Sequence, residues 1–363
     1  NLDELGPLDY NLLKLERYFT YERNGIMARN KFSYEGAERS VSVVTSRGCP
    51  YLCSFCSIHI HAGRKYRRYS VEHTLDHLEE LVQTHGVQHI HFEDDNLTLD
   101  KPRFMKLMNG VLNRGLKFTW DTPNGVFANT LDEEMLVLMK KTGCTYLIVG
   151  VESGDQWVLD NVIHKQPLTI DKVINAFKLG KKVGIDMQAF YIIGFPRETR
   201  EHINTTLEFA MNGLTKYKVI PHLATARADP GTDLYAEAQA NGHLVSDVSM
   251  SNVSGVHADM FIRHMIKNDH FSPEELMQIS ERFHRKAIIR TAMGTFAYLL
   301  RHPIVSLRNS VYFIKLVKDN WAISSLKDSV VRIFFCRLFY RNSMLRQKYF
   351  ESEQFERKED IAG

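Results

Sequence analysis

Arg47-Gly48-Cys49-Pro50-Tyr51-Leu52-Cys53-Ser54-Phe55-Cys56 sets three thiols within eight residues, in the spacing C-x3-C-x2-C. Val41 to Ser46, just before it, reads as a strand, so the thiols fall on the loop at that strand's C-terminal end. Thiolates suit soft metal centres, either zinc or iron–sulfur. A four-iron cube held by three cysteines keeps one iron free of protein, a place for a small molecule to bind. The competing reading is a structural Cys3His zinc site with His59 or His61 as fourth ligand. Structural zinc favours paired knuckles, and this chain has one tight triplet. The chain has five cysteines, an odd count that does not suit a disulfide framework. Cys144 and Cys336 stand alone and read as buried small hydrophobes.

Outward from the triplet, apolar runs alternate with helical patterns. Strands are expected at Val87 to Phe92, Lys117 to Asp121, Thr145 to Val151, Ile185 to Ile193 and Tyr217 to Ala226. Helices are expected at Val71 to His85, Lys101 to Gly115, Leu131 to Gly143, Thr169 to Gly184, Thr199 to Gly213 and Thr232 to Asn241. Six βα units predict a parallel sheet with right-handed crossovers. The fold class is α/β: a partial (β/α)6 TIM-like barrel with a C-terminal helical extension. An open doubly wound sheet is the runner-up. In either, ligands belong at the C-terminal ends of the strands. The expected division is a leading linker segment over 1–40, with a short amphipathic stretch at Asn11 to Tyr18, the barrel over 41–245, and a mixed, mainly helical module over 246–363. An extra strand is expected at Val256 to Phe261. Ser272-Pro273-Glu274-Glu275 is a helix start signal. Pro303 and Ser324/Ser325 divide the helices that follow.

With 44% hydrophobic and 25% charged residues, the 363-residue chain can bury a full-size core, which excludes a disordered or collagen-like protein. The formal charge of +3 conceals an asymmetry. Glu281 to Lys348 carries 14 Lys/Arg against 3 Asp/Glu, a net of +11, leaving −8 for the rest. No apolar run is long enough for a membrane span. The chain begins at Asn1 without Met and shows no signal peptide, as expected of a piece of a longer protein.

The triplet, with Phe55 before its last cysteine and after the first of six strands, resembles the radical S-adenosylmethionine (SAM) superfamily. Gly150-Val151-Glu152-Ser153-Gly154 resembles that family's G-x-E-S-G element. Gly194-Phe195-Pro196 with Glu198 resembles its G-x-P element, and Asp229-Pro230-Gly231-Thr232 its P-G-T turn. Glu93-Asp94-Asp95-Asn96 and Leu2-Asp3-Glu4-Leu5-Gly6-Pro7 resemble the subgroup associated with a cobalamin-binding domain. That domain is absent from this chain, and no Asp-x-His-x-x-Gly motif for cobalt is found.

The resemblance implies an enzyme with a [4Fe–4S] cluster on Cys49, Cys53 and Cys56. It implies SAM cleaved reductively to a 5′-deoxyadenosyl radical that abstracts hydrogen from an unactivated carbon. Cobalamin-dependent methyl transfer is one use the subgroup makes of this chemistry. A non-catalytic, zinc-stabilised binding protein is the alternative. Within Glu93, Asp94 and Asp95, strand alternation favours Glu93 or Asp95 as acceptor for the SAM ammonium. By the same alternation His89 and His91 face inward, and Ile90 and Phe92 face the helices. Glu152 or Ser153 would bond the ribose hydroxyls, Phe55 would pack near the adenine, and Gly194 would let the backbone approach the adenosyl group. Asp121, Asn124, Gln188, His222 and Arg227 lie near strand ends as substrate contacts. Arg68 reads equally as a carboxylate partner or a surface ion pair. Seven of 16 histidines fall between His59 and His91, and scattered helix-face and strand positions explain them better than a metal cluster.

The basic C-terminal helices read first as packing helices with a solvated face, then as a peripheral attachment to an anionic membrane surface. The expected partners are a small-molecule or lipid-like substrate, an electron donor such as flavodoxin or ferredoxin, and a cobalamin-binding domain. No nucleic acid is expected. Thiols in such a loop need a reducing compartment, which places the protein in the cytoplasm or at the inner membrane surface.

Overall fold

The computed structural model describes residues 2–6, 8–24, 39–245, 266–267 and 270–301. Six parallel strands form one sheet: β1 (Ser40–Val43), β4 (His89–Phe92), β5 (Thr119–Val126), β6 (Cys144–Glu152), β7 (Asp186–Ile193) and β8 (Ile220–Thr225), adjacent in that order. Neighbours in sequence are neighbours in space, the order of a barrel opened between β1 and β8. A doubly wound sheet would reverse direction from its first strand. A separate two-stranded ribbon pairs β2 (Ser46–Arg47) with β3 (Arg67–Arg68).

The crossover helices start where the sequence supplies caps. Ser70, Asp100, Asp132, Thr169, Thr199 and Thr232 each accept a backbone N–H from the first turn of the following helix. These helices are α3 (Val71–Glu79), α4 (Lys101–Asn113), α5 (Glu133–Lys141), α7 (Ile170–Val183), α8 (Arg200–Asn212) and α9 (Asp233–Ala240). Shorter pieces are α1 (Leu15–Asn24), α2 (Ile58–His61) and α6 (Gln156–Val158), and α10 runs Pro273–Arg301.

Alternation sorts the sheet into two faces. On β7, Met187, Ala189, Tyr191 and Ile193 are buried, while Asp186, Gln188, Phe190 and Ile192 are half-buried. On β4, Phe92 meets Trp120 edge-to-face at 5.4 Å, and Trp120 in turn meets Phe104 of α4. Ile90 and Phe92 therefore face the helices, and His89 and His91 face the lumen, as alternation requires. Trp120 satisfies its indole N–H on the Thr142 carbonyl at 3.0 Å, so a fully buried Trp carries no unmet donor.

Three boundaries differ from expectation. The strand expected from Val41 to Ser46 is two: Ser40–Val43 joins the sheet, and Ser46 joins the ribbon. β5 runs to Val126 across Pro123 and Gly125, with register shifts at Trp120/Asp121 and Thr122/Val126. Proline and glycine read as breakers, and the shifts are how an edgeless parallel strand accommodates them. The last strand, expected from Tyr217 to Ala226, is Ile220–Thr225, while the amphipathic stretch Asn11 to Tyr18 overlaps the start of α1. The expected strand at Val256 to Phe261, the division at Pro303 and Cys336 lie outside the described residues. Cys144 is buried at the start of β6.

The chain divides into two compact units, 1–29 with 37–283, and 30–36 with 284–363. In the second, the described residues 284–301 are helical and include Arg285, Lys286 and Arg290, with Ile289 and Met293 exposed. Among the described residues no helix is long and apolar enough to cross a membrane.

Candidate functional site

The cysteine loop leaves β1 and is held at both ends. Asp94, at the end of β4, accepts Thr45 N at 3.0 Å, Thr45 Oγ1 at 2.8 Å and Ser46 Oγ at 2.5 Å. Asp95 Oδ2 accepts Gly48 N at 2.7 Å, one residue before Cys49. Arg103 reaches from α4 to the carbonyls of Thr45 and Tyr69, tying the outgoing arm to the returning one. The middle of the loop is anchored by Ser54, whose N–H and hydroxyl donate to Ile163 O and Val162 O, and whose carbonyl accepts Leu234 N. These bonds fix the backbone between Cys53 and Cys56 against the segment after β6 and against α9.

Cys49, Cys53 and Cys56 are all half-buried. Burial pushes each thiol above its ordinary value, and the Lys165 ammonium opposes that shift at all three. A tetrahedral zinc with Zn–S bonds of about 2.3 Å needs thiolates about 3.8 Å apart. Among the described residues, only His89, His91 and Asp121 form a set of three whose ligand atoms all lie within 4.8 Å of one another. The cysteines form no such set with each other, with His59 or with His61. Three thiolates on one loop, with no fourth protein ligand beside them among the described residues, suit a multi-iron cube that keeps one iron open.

Lys165 is the functional residue that sequence reading overlooks. Its Nζ lies 2.6 Å from Glu152 Oε1, and both side chains are buried. Burial alone would lower the lysine, but Glu152 and the neighbouring Cys53 hold it above its ordinary value. Its ammonium also sits 5.3 Å from the centre of the Phe127 ring, on which Tyr51 of the cysteine loop stacks at 4.3 Å. Glu152 takes φ 69°, uncommon for a residue with a side chain, at the last position of β6. No local pattern marks it in the sequence: Lys165 follows Val158-Leu159-Asp160-Asn161-Val162-Ile163-His164, thirteen positions after Glu152.

The remaining motif residues divide between the mouth and the framework. Phe55 approaches Phe195 at 6.1 Å. Glu93 is half-buried, with Ser42 Oγ 3.5 Å from its carboxylate. The sequence reading offers Asp94 and Ser153 as cofactor contacts, and the structure gives both a framework task. Asp94 is buried and spends its oxygens on Thr45 and Ser46. Ser153 is fully buried, pairs with Thr206 Oγ1 at 2.9 Å and accepts Asp155 N. At Gly194, φ is 93° and an added Cβ would lie 2.6 Å from Leu276 Cδ1 of α10, so a leucine makes the close approach. Glu198 accepts Gly194 N at 2.6 Å and Phe195 N at 2.9 Å. Burial raises its carboxyl to about 8 against those bonds.

Of the strand-end polar residues, Asn124 donates to Glu93 O at 2.8 Å, and Gln188 accepts from Tyr146 OH at 2.7 Å. His222 lies edge-on to Phe190 at 5.3 Å, and Arg227 pairs with Asp229. Arg68 forms a half-exposed ion pair with Asp100 at 3.1 Å. Asp121 belongs to the base of the lumen with His89 and His91. His91 Nδ1 stands 2.7 Å from Asp121 Oδ1, and His89 Nδ1 stands 2.9 Å from Thr119 Oγ1. Ligands sharing a tetrahedral ion at about 2.0–2.1 Å stand about 3.3 Å apart. A separation of 2.7 Å is a hydrogen bond, so a proton joins this pair. Burial would raise Asp121, but the nearby His89 ring, 3.6 Å away, and the His91 hydrogen bond hold it at about 2.

Comparison with known proteins agrees with this architecture. Residues 43–210 match the radical SAM superfamily, and the chain carries a radical SAM domain. It is 28% identical over 312 residues to an uncharacterised methyltransferase of Pyrococcus horikoshii, covering 86% of this chain and 63% of that one. It is 31% identical over 195 residues to the cytidylyl-2-hydroxyethylphosphonate methyltransferase of Streptomyces wedmorensis, covering 54% and 36%. Among solved structures, the cobalamin-dependent SAM radical enzyme OxsB with aqua-cobalamin bound aligns with a TM-score of 0.54 at 16% identity, over 86% of this chain and 55% of that one. The chain thus spans less than two thirds of the length of these relatives.

Proposed function

We propose that this chain is the radical-generating module of a SAM-dependent enzyme, with Cys49, Cys53 and Cys56 holding a [4Fe–4S] cluster. The observation that carries the reading is the cysteine loop itself. Three half-buried thiols follow β1 on one short loop, whose arms are braced by Asp94 and Asp95. When bound, the cluster and SAM supply a 5′-deoxyadenosyl radical able to take hydrogen from an unactivated carbon. The protein's part is orientation and exclusion of water. Glu93 and Asp95 are the acceptors for the SAM ammonium. Lys165 supplies the buried positive charge beside the thiols that a carboxylate of SAM requires. Glu152 holds Lys165 in place and offers an acceptor to the ribose, and Phe55 packs on the adenine.

The relatives' names support methylation as the outcome, with a cobalamin-binding domain outside this chain as the methyl carrier. The substrate is a small or lipid-like molecule seated in the lumen against Gln188, Phe190 and His222. The electron donor is a flavodoxin or ferredoxin, and the thiol loop suits the cytoplasm.

Metal analysis after anaerobic reconstitution tests the assignment. About four irons per chain, reduced to background in Cys53→Ala, is the expected result. One tight zinc per chain, retained when iron is offered, would replace it with a structural metal site.

A further inference from the structure

The arm that returns from the cysteine loop is strongly basic. Between Arg47 and Val71 the chain has Arg47, Arg64, Lys65, Arg67 and Arg68 and no Asp or Glu. All five are exposed. Arg67 and Arg68 form β3, and with Lys65 they line a cleft of about 660 Å³ whose opposite wall is α4, where Lys106 is also exposed. The two acids in that cleft are already engaged. Asp100 pairs with Arg68 and caps α4, and Asp3 accepts Ser70 N at 2.8 Å. The rim therefore keeps a net positive field.

This basic arm lies directly against the first cysteine. Gly48 has φ 87°, and a Cβ there would stand 2.5 Å from Lys65 O and 2.9 Å from Gly63 O. The backbone bearing Lys65 is thus one chain thickness from the backbone of Cys49. Glycine at 48 is what permits the approach. Charged side chains spread over a loop arm and a helix suit a broad surface better than one small anion. Of the two rings lining the cleft, Tyr69 is already stacked on His73 at 4.7 Å and Tyr66 is half-buried with its hydroxyl enclosed, so neither offers an open platform for a nucleic-acid base.

We propose that this cleft is the docking face for a small acidic electron-carrier protein, which thereby presents its redox group to the cysteine loop. The inference rests on the function proposed above. The carrier is oxidised by one electron per encounter, and the cofactor held by the three cysteines accepts it. Charge complementarity steers the approach and makes it salt-dependent.

Lys65→Glu together with Lys106→Glu tests this, because both side chains point to solvent and neither belongs to the cofactor site. Calorimetric titration of the reconstituted protein with flavodoxin is expected to show about tenfold weaker binding by the variant at low salt, with most of the salt dependence lost. Flavodoxin-driven formation of 5′-deoxyadenosine should fall in parallel, while the dithionite-driven rate stays within about twofold. Equal flavodoxin affinity in both proteins overturns the proposal, as does an equal loss with both reductants. Salt-dependent binding to phosphatidylglycerol vesicles that the variant loses, with flavodoxin affinity unchanged, overturns it in favour of a membrane. Failure of the wild-type protein to cleave SAM with dithionite refutes the radical function, and the flavodoxin titration reports on the surface separately.

Discussion

Lys165 and Glu152 place opposite charges 2.6 Å apart where water is excluded. Removing one partner strands the other, which costs far more than removing both. Lys165→Met is therefore expected to lose about 3 kcal/mol of stability in urea unfolding, and the double variant Lys165→Met/Glu152→Gln to recover most of it. An additive loss would show that the two side chains are not a coupled pair. Glu198 carries a prediction of opposite kind. Its folded carboxyl titrates near 8, above the ordinary glutamate range, so the folded state holds a proton that the unfolded state has released between those values. Stability must fall as pH rises through that window, by up to about 1.4 kcal/mol per pH unit. Glu198→Gln should flatten this decline while still accepting Gly194 N. Parallel stability curves for the two proteins from pH 5 to 9 would contradict it.

At the scale of elements, the cysteine loop depends on backbone closeness that only glycine allows. Gly48→Ala adds a methyl group 2.5 Å from a carbonyl at positive φ, whereas Gly63→Ala, also at positive φ, meets nothing within 4 Å. Gly63→Ala should cost about 1 kcal/mol for backbone strain alone. Gly48→Ala should cost more, separate the loop's two arms and reduce iron per chain well below the wild-type value. Similar iron content in the two variants would mean the close approach is not what shapes the loop. The elements themselves were largely legible, because caps such as Asp100 and Thr199 and the alternation along β7 are local signals. The split of the first strand was not. Thr45 and Ser46 leave the sheet because Asp94 draws them, and Asp94 lies 49 residues further on in the chain. Lys165 escaped for the same reason: its importance comes from Glu152 and the cysteines across the mouth. Asp94 and Ser153 show the converse, motif residues whose polar atoms turn out to brace the backbone.

For the whole molecule, one parallel sheet in sequential strand order brings the cysteine loop, Glu93, Glu152 and the Gly194 loop to one end. His89 and the hydrogen-bonded pair His91 and Asp121 lie buried toward the other. The triplet and the strand–helix alternation made the class readable from sequence, since both survive in short stretches. The arrangement at the lumen's base was not readable, because scattered histidines acquire meaning only through the His91–Asp121 register between β4 and β5. The family match over residues 43–210 falls on the sheet and its crossover helices, and the relatives extend beyond the stretch that this chain covers. The central claim is that this chain cleaves SAM reductively on its own. Anaerobic incubation of the reconstituted chain with dithionite and SAM, followed by quantification of 5′-deoxyadenosine, measures that directly. Formation of 5′-deoxyadenosine that Cys53→Ala abolishes is the predicted result. Intact SAM beside a fully loaded, reduced cluster would contradict it.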